Sequence, residues 1–118
     1  MKEFEVKTTI KITAETVKYL LSCAFQGMSY WGDIQNIVKK DDSQELIEAV
    51  SLGEGSFEVT TDDEDTVYKV DQRACLEGLQ TLADKYDWHF KNVLSEDFDA
   101  ETGDAFIQCV CFGRIVYG

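Results

Sequence analysis

FEVTTDDEDTVYKVDQRACLEGLQTLADKYDWHFKNV, residues 57–93, is the stretch whose patterns decide the fold. Residues 57–60 and 66–70 are rich in β-branched and aromatic side chains and predict two strands, joined by an acidic turn as a β-hairpin. Asp71 is a good N-cap for a following helix. Beyond it, apolar residues recur at steps of three and four and predict one helix of about 20 residues with a single apolar stripe: Cys75, Leu79, Leu82, Tyr86, Phe90 and Val93.

Upstream of the hairpin, residues 4–12 alternate between apolar and polar side chains, which predicts a half-buried strand. Thr13 can cap a helix after this strand, and Gly27 is a suitable place for that helix to stop. Residues 34–38 predict a short helical or extended piece, and residues 45–50 predict a further turn of helix. The first helix has its apolar residues at helical spacing: Val17, Leu20, Leu21, Ala24 and Phe25.

Downstream of the long helix, a second group of carboxylates precedes a last helix, where the helix dipole favours negative charge. This helix is expected to end near Gly113, with residues 115–117 as a closing strand or a packed tail. The pattern as a whole predicts an α+β fold with a single small domain over residues 1–118. We expect an antiparallel sheet of about three strands packed against about three helices.

The charge is strongly uneven along the chain. The formal net charge is -12, and every charged side chain between Asp41 and Tyr68 is a carboxylate. Affinity for phosphates requires clustered cations, so this composition argues against naked nucleic acid as a direct partner. A negative surface instead favours a partner with a basic face.

No stretch has the roughly 18 uncharged apolar residues of a membrane span, and the sequence MKEFEVKTTI has acids where a signal peptide needs an apolar run. These features predict a cytoplasmic protein with no membrane partner. The four cysteines lie in apolar company within predicted helices, so we expect free, buried thiols rather than disulfides: Cys23, Cys75, Cys109 and Cys111. Cys109 and Cys111 lack the C-x-x-C spacing of zinc and redox sites, and we expect neither a metal nor a cofactor.

Catalytic signatures are absent from the sequence. His89 is the only histidine, and no nucleophile motif accompanies it, so a packing or capping role is the expectation. Residues 62–65 are the nearest approach to a calcium-binding loop but lack its glycine. We therefore expect a protein that is not an enzyme.

Two adjacent large aromatic residues, Tyr30 and Trp31, follow the first helix. Adjacent side chains cannot both point into one core from a regular element. Either the loop bends to pack both, or at least one of them faces a groove, a ligand or another subunit. A planar anionic ligand such as a nucleotide would also need nearby cations, and Arg73 and Arg114 are among the few available.

Several segments of the chain form a recognisable set: Gly27 with Tyr30 and Trp31, Val70-Asp71, Asp99-Ala100-Glu101-Thr102, Ile107-Gln108-Cys109 and the closing Phe112-Gly113-Arg114-Ile115-Val116-Tyr117-Gly118. Together they resemble a family of small proteins encoded by tailed phages and prophages. Members often have a second glycine where this chain has Met28, and commonly an acidic residue where it has Arg114. The resemblance implies a viral accessory protein that acts inside a bacterial cell.

Charge and resemblance together give a leading hypothesis: an anti-defence or host-takeover inhibitor that occludes a basic surface of a host bacterial protein. The acids expected to make this contact form two groups along the chain: Asp62, Asp63, Glu64 and Asp65, and Glu96, Asp97 and Asp99.

The alternative hypothesis is a protein that sequesters a small nucleotide-like immune signal in an aromatic-lined pocket. Such a pocket between subunits would require a homo-oligomer. The ligand-binding residues in this case would be Tyr30, Trp31, Arg73 and Arg114.

Overall fold

The computed structural model describes residues 2–62 and 66–118. The α+β class and the three-stranded antiparallel sheet are confirmed. The strands are β1 (Gly32–Lys39), β2 (Gly55–Thr61) and β3 (Val67–Val70), in the order β1-β2-β3. Within the described ranges there are five helices rather than about three: α1 (Ala14–Gly27), α2 (Leu46–Ser51), α3 (Gln72–Lys85), α4 (Asp87–Leu94) and α5 (Ala100–Phe112).

The predicted hairpin is confirmed as β2 and β3. Phe57 lies opposite Val70 and Val59 lies opposite Tyr68. Phe57, Val59 and Val70 are fully buried, so one face of the hairpin contributes directly to the core. Asp62 is exposed just after β2, while the rest of the predicted acidic tip lies outside the described residues.

The prediction of one long helix after Asp71 is wrong, because the helix breaks at Tyr86. Asp71 does cap α3, since its side chain accepts the Ala74 N–H at 2.9 Å. Tyr86 has φ -134° and ψ 59°, outside the helical region, and α4 begins at the next residue. The Tyr86 hydroxyl accepts the N–H of Ile115 at 3.0 Å. The apolar stripe stays in the core on both sides of the break, since Leu82 of α3 and Val93 of α4 are both buried.

The predicted strand over residues 4–12 is also wrong. This segment forms neither strand nor helix, and Phe4 and Val6 are 84% and 83% exposed. The strand that pairs with β2 comes from residues 32–39 instead, which fulfils the extended alternative predicted for residues 34–38. A period of two reports one apolar face, but a strand forms only where a partner supplies the ladder of hydrogen bonds.

Helix α1 follows its sequence signals and packs closely on α5. The Thr13 hydroxyl accepts the Thr16 N–H at 3.2 Å, and Leu20, Leu21 and Ala24 are fully buried. At the crossing, a Cβ on Gly103 would lie 2.4 Å from the Ala24 nitrogen, so a side chain there would push the two helices apart. This contact sets the distance between the two helices that carry the sites described below.

Helix α5 ends where the sequence predicts. Gly113 takes a left-handed conformation with φ 71°, and its N–H bonds to the Cys109 carbonyl at 3.0 Å. Residues 114–118 then form a packed tail rather than a closing strand. Among the helices of the described ranges, none combines the length and apolar character needed to cross a membrane.

Candidate functional site

The aromatic pair lies in a hydrogen-bonded cluster that ties α5 to the turn before β1 and to the tail. We call Tyr30, Trp31, Asp104, Gln108 and Tyr117 the clasp. Trp31 is 5% exposed, Gln108 is 1% exposed, and Tyr30 is 59% exposed. The clasp is therefore buried on its tryptophan side and open to solvent on its tyrosine side.

Asp104 joins the aromatic pair to α5. One carboxylate oxygen accepts the Trp31 indole N–H at 2.7 Å and the Gln108 amide N–H at 2.9 Å. The other oxygen accepts the Tyr30 hydroxyl at 2.8 Å. Burial, reinforced by this contact with Asp104, raises the pKa of Tyr30 to about 12. The carboxylate thus fixes the direction of both aromatic side chains.

Gln108 joins the tail to the same cluster. Its amide oxygen accepts the backbone N–H groups of Val116 and Tyr117, both at 2.7 Å, and its amide nitrogen donates to the Tyr117 carbonyl at 3.2 Å. The rings of Trp31 and Tyr117 are stacked, with centroids 5.4 Å apart and planes 6° apart. The residues of the suggested aromatic wall therefore hold the tail, and Trp31 fits the bent-loop alternative of core packing.

Among the described residues, neither arginine of the alternative ligand site makes a hydrogen bond or ring contact with Tyr30 or Trp31. Arg73 is exposed on α3 and pairs with Glu77 at 3.1 Å. Arg114 lines a groove of about 250 Å³ together with Tyr68, Phe112 and Tyr117. Arg114 is thus the one of the pair that meets an aromatic wall, and Tyr117 rather than Trp31 supplies it.

The acids predicted to contact a partner fall into two places. Asp62 is exposed at the end of β2, and Asp63, Glu64 and Asp65 lie outside the described residues. Glu96 and Asp97 are exposed in the connection between α4 and α5. Asp99 caps α5, because its side chain accepts the N–H groups of Glu101 at 3.0 Å and Thr102 at 3.3 Å.

Glu96 lies on a groove of about 500 Å³ between α1 and the α4–α5 connection, which we call the acidic groove. Glu15 and Glu96 supply its charge, and Tyr19 and Phe98 supply aromatic surface. Burial, and after it the charge of Asp99, raises the pKa of the Cys23 thiol in the groove wall. The full lining is Thr13, Glu15, Thr16, Tyr19, Ser22, Cys23, Glu96 and Phe98.

The backbone at Glu96 is in a conformation that usually belongs to glycine. Its φ is 57°. The N–H of Glu96 bonds to the Val93 carbonyl at 3.1 Å and the N–H of Asp97 bonds to the Asn92 carbonyl at 2.9 Å, which together form a Schellman motif at the end of α4. A non-glycine residue there costs about 1 kcal/mol. The strained position holds a carboxylate at the rim of the acidic groove.

Sequence reasoning named Glu96 as a contact acid but missed the groove and the clasp residues Asp104 and Gln108. A signal for the latter does exist, since Asp104 and Gln108 are four residues apart and the glutamine interrupts the apolar run of α5. The aromatic partners of Asp104, Tyr30 and Trp31, are more than 70 positions away in the sequence. No local pattern could have paired them.

The thiols and the histidine are mostly withdrawn from solvent. Burial raises the pKa of Cys75 to about 12, of Cys109 to about 11 and of Cys111 to about 12, which leaves these thiols protonated and weakly nucleophilic. His89 is buried in α4, and burial lowers its pKa against the opposing charges of nearby carboxylates. Within residues 2–62 and 66–118, no group of three His, Cys, Asp or Glu side chains could hold a metal ion.

Comparisons of the chain with protein-family models, with curated proteins and with solved structures gave no match.

Proposed function

We propose that this chain is a non-enzymatic binding protein that occludes a basic surface of a host bacterial protein, with the acidic groove as the centre of the contact. The observation that carries the proposal is Glu96, whose carboxylate lies at the groove rim on a left-handed backbone. Strained backbone positions are concentrated at functional sites and persist where the surrounding structure holds them, which the Schellman motif at the end of α4 does here.

The groove suits the side chain of an arginine or a lysine. Glu15 and Glu96 can accept hydrogen bonds from a guanidinium or ammonium group, and such charge-assisted bonds are stronger than neutral ones. Tyr19 is exposed in the groove and offers a ring face for a cation. The surrounding net charge of -12 would speed the approach of a basic protein and make the encounter sensitive to salt.

The protein would act during infection of a bacterial cell, as an anti-defence or host-takeover inhibitor. Its support is the resemblance of the segments around Tyr30 and Trp31 and of the closing residues to small phage and prophage proteins. In this proposal these segments have a structural part, because they form the clasp, and the partner binds at the acidic groove between α1 and the α4–α5 connection.

The sharpest test separates the stability of the fold from binding. Glu96→Gly should raise the free energy of unfolding by about 1 kcal/mol, because glycine accepts the left-handed backbone. The same change should weaken binding of a fluorescent arginine-rich peptide by about tenfold, through loss of one charged contact. Fluorescence anisotropy measures the binding, and thermal unfolding measures the stability.

Glu96→Gln and Glu77→Gln form a matched control pair, since each removes one negative charge and Glu77 lies on the exposed face of α3. Glu96→Gln should weaken peptide binding and Glu77→Gln should not. Equal effects of the two changes would show that the peptide is attracted by the net charge of the protein and does not bind at the acidic groove. In cells that carry a phage-defence system, expression of the wild type should restore infection and Glu96→Gly should not.

A second candidate function, sequestration of a small nucleotide-like signal, has one favourable observation. Arg114 and Tyr117 line the same groove, so one nucleotide could place its phosphate against Arg114 and its base against the ring of Tyr117. Cyclic nucleotides should then raise the melting temperature by linkage. Arg114→Gln should abolish that shift, whereas Arg73→Gln, on α3 beside Glu77, should leave it intact.

A further inference from the structure

The segment of residues 2–12, which we call the arm, has the pattern of a strand without a sheet. Its apolar side chains alternate with polar ones, yet Phe4 and Val6 are almost fully exposed and Ile10 is about half exposed. No hydrogen bond joins residues 2–12 to the rest of the described chain. An extended segment with one apolar face is stabilised most where a sheet edge makes hydrogen bonds to its backbone and covers that face.

The sheet offers an edge of suitable length. β1 pairs with β2 along one side, and its other side carries no strand among the described residues. This edge runs over Gly32–Lys39, about as long as the alternating run of residues 4–12, with an irregularity between Gln35 and Val38 where Asn36 has a φ of 51°. Ile37 and Val38 are exposed beside it. The outer edge of β3, Val67–Val70, is only half as long.

Charge also favours the arm as the occupant of this edge. The arm holds three lysines against two glutamates and is net cationic, in a chain whose net charge is -12. Residues 32–42, which hold the β1 edge, carry three carboxylates (Asp33, Asp41 and Asp42) against two lysines (Lys39 and Lys40) and are weakly acidic. Two copies of so acidic a body repel one another, whereas a cationic arm on an acidic edge is attracted.

We propose that the arm of one copy adds as a strand to the β1 edge of a second copy, and that the exchange is reciprocal in a two-fold dimer. Ile12 is partly buried against the core and lies near Leu79 and Phe90, so it anchors the base of the arm on its own chain. Thr8 and Ile10 also line this groove on α3 but remain exposed, and residues 2–11 then complete the partner's sheet as a fourth strand. This assembly goes beyond the proposed function and needs none of the acidic-groove residues.

The test is the mass in solution, measured by light scattering after size exclusion. The wild type should have twice the 13.4 kDa mass of one chain. Phe4→Ser with Val6→Ser should return it to the mass of one chain, because both side chains lie on the apolar face of the arm. Glu5→Ser with Lys7→Ser, on the other face and neutral in net charge, should leave the mass doubled.

A second pair of variants tests the edge. Ile37→Lys places a charge beside β1 and should dissociate the dimer, whereas Val67→Lys does the same at β3 and should have no effect. All four side chains changed at Phe4, Val6, Ile37 and Val67 are exposed in the single chain, so circular dichroism should show a folded protein in each case. A wild type with the mass of one chain at every concentration would overturn the proposal, as would a doubled mass that survives loss of Phe4 and Val6. Dissociation by Val67→Lys alone would overturn the choice of edge.

Discussion

Residues 114–118 and residues 2–12 both lie outside helices and strands, but one segment is held and the other is not. Both alternate: Ile115 and Tyr117 are half-buried between exposed neighbours, just as apolar and polar side chains alternate in the arm. The tail meets Gln108, which accepts two of its backbone N–H groups, and Trp31, on which Tyr117 stacks. The arm lies along a groove on α3 through Thr8, Ile10 and Ile12, but no hydrogen bond joins it to the rest of the described chain.

This contrast shows that an alternating pattern of side chains is not enough to order a segment. The segment also needs a rigid element that presents hydrogen-bond donors, acceptors and apolar surface to it. Helix α5 does this for the tail, because Asp104 and Gln108 project from successive turns of one helix face. The proposed dimer assigns the same part to β1 of a second copy.

The largest expected effect comes from removal of the receptor for the tail. Gln108→Leu keeps a similar volume but leaves the Val116 and Tyr117 N–H groups without an acceptor, and should lower the free energy of unfolding by about 3 kcal/mol. Urea unfolding measures this loss. Gln80→Leu, on the exposed face of α3, is the control and should change stability by less than about 0.5 kcal/mol. Equal losses would show that the tail is not held by Gln108.

Trp31→Phe tests the aromatic side of the clasp and should have the next largest effect. Phenylalanine keeps a ring near Tyr117 but removes the N–H that donates to Asp104, for a loss of about 2 kcal/mol. The matched change Trp88→Phe alters an exposed tryptophan and should cost little. Thermal unfolding of both variants makes the comparison, and an equal melting temperature for the two would contradict the role given to Trp31.

The pH dependence of stability tests Tyr30. Its pKa is raised to about 12 in the folded chain, against about 10 for an unfolded tyrosine. Between these values the unfolded chain loses the tyrosine proton and the folded chain retains it. The contribution of Tyr30 to the free energy of unfolding is therefore fully present below pH 10 and falls as the pH rises toward 12. Tyr30→Phe should flatten this decline, to a small degree because the ring is more than half exposed. A decline unchanged in Tyr30→Phe would disprove the coupling.

The smallest expected effect is that of the arm on a single chain. At concentrations low enough to keep copies apart, Phe4→Ser with Val6→Ser should change the free energy of unfolding by less than about 0.5 kcal/mol. Both side chains are exposed, so little burial is lost. Chemical unfolding at two protein concentrations measures this. A loss comparable with that of Gln108→Leu would mean that the arm packs on its own body.

Local signals in the sequence were enough for much of the fold. The hairpin, the caps at Thr13 and Asp71 and the stop at Gly113 each depend on neighbouring residues, and each is confirmed. The break at Tyr86 was missed because the apolar period continues through it. At the break α4 packs against α3 and α5, and the Tyr86 hydroxyl accepts the Ile115 N–H, contacts between residues that no short sequence window contains.

The candidate site was less accessible to the same reasoning. The acids of the α4–α5 connection were identified from charge, but the groove they border needs α1 beside them, an arrangement set by the close approach at Gly103. The left-handed backbone at Glu96 is equally hidden, since a glutamate gives no hint of it. The aromatic pair drew attention for its composition, and three-dimensional contacts with Asp104 gave it a structural part instead.

One consequence of the buried thiols is practical. Burial raises the pKa of all four thiols, to about 11 or 12 for Cys75, Cys109 and Cys111, and leaves Cys23 partly exposed, so an alkylating dye applied at mildly alkaline pH should react first with Cys23. That sulfur lies in the wall of the acidic groove. The natural sequence thus supplies an attachment point for an environment-sensitive fluorophore, whose emission would change as cationic molecules enter and leave.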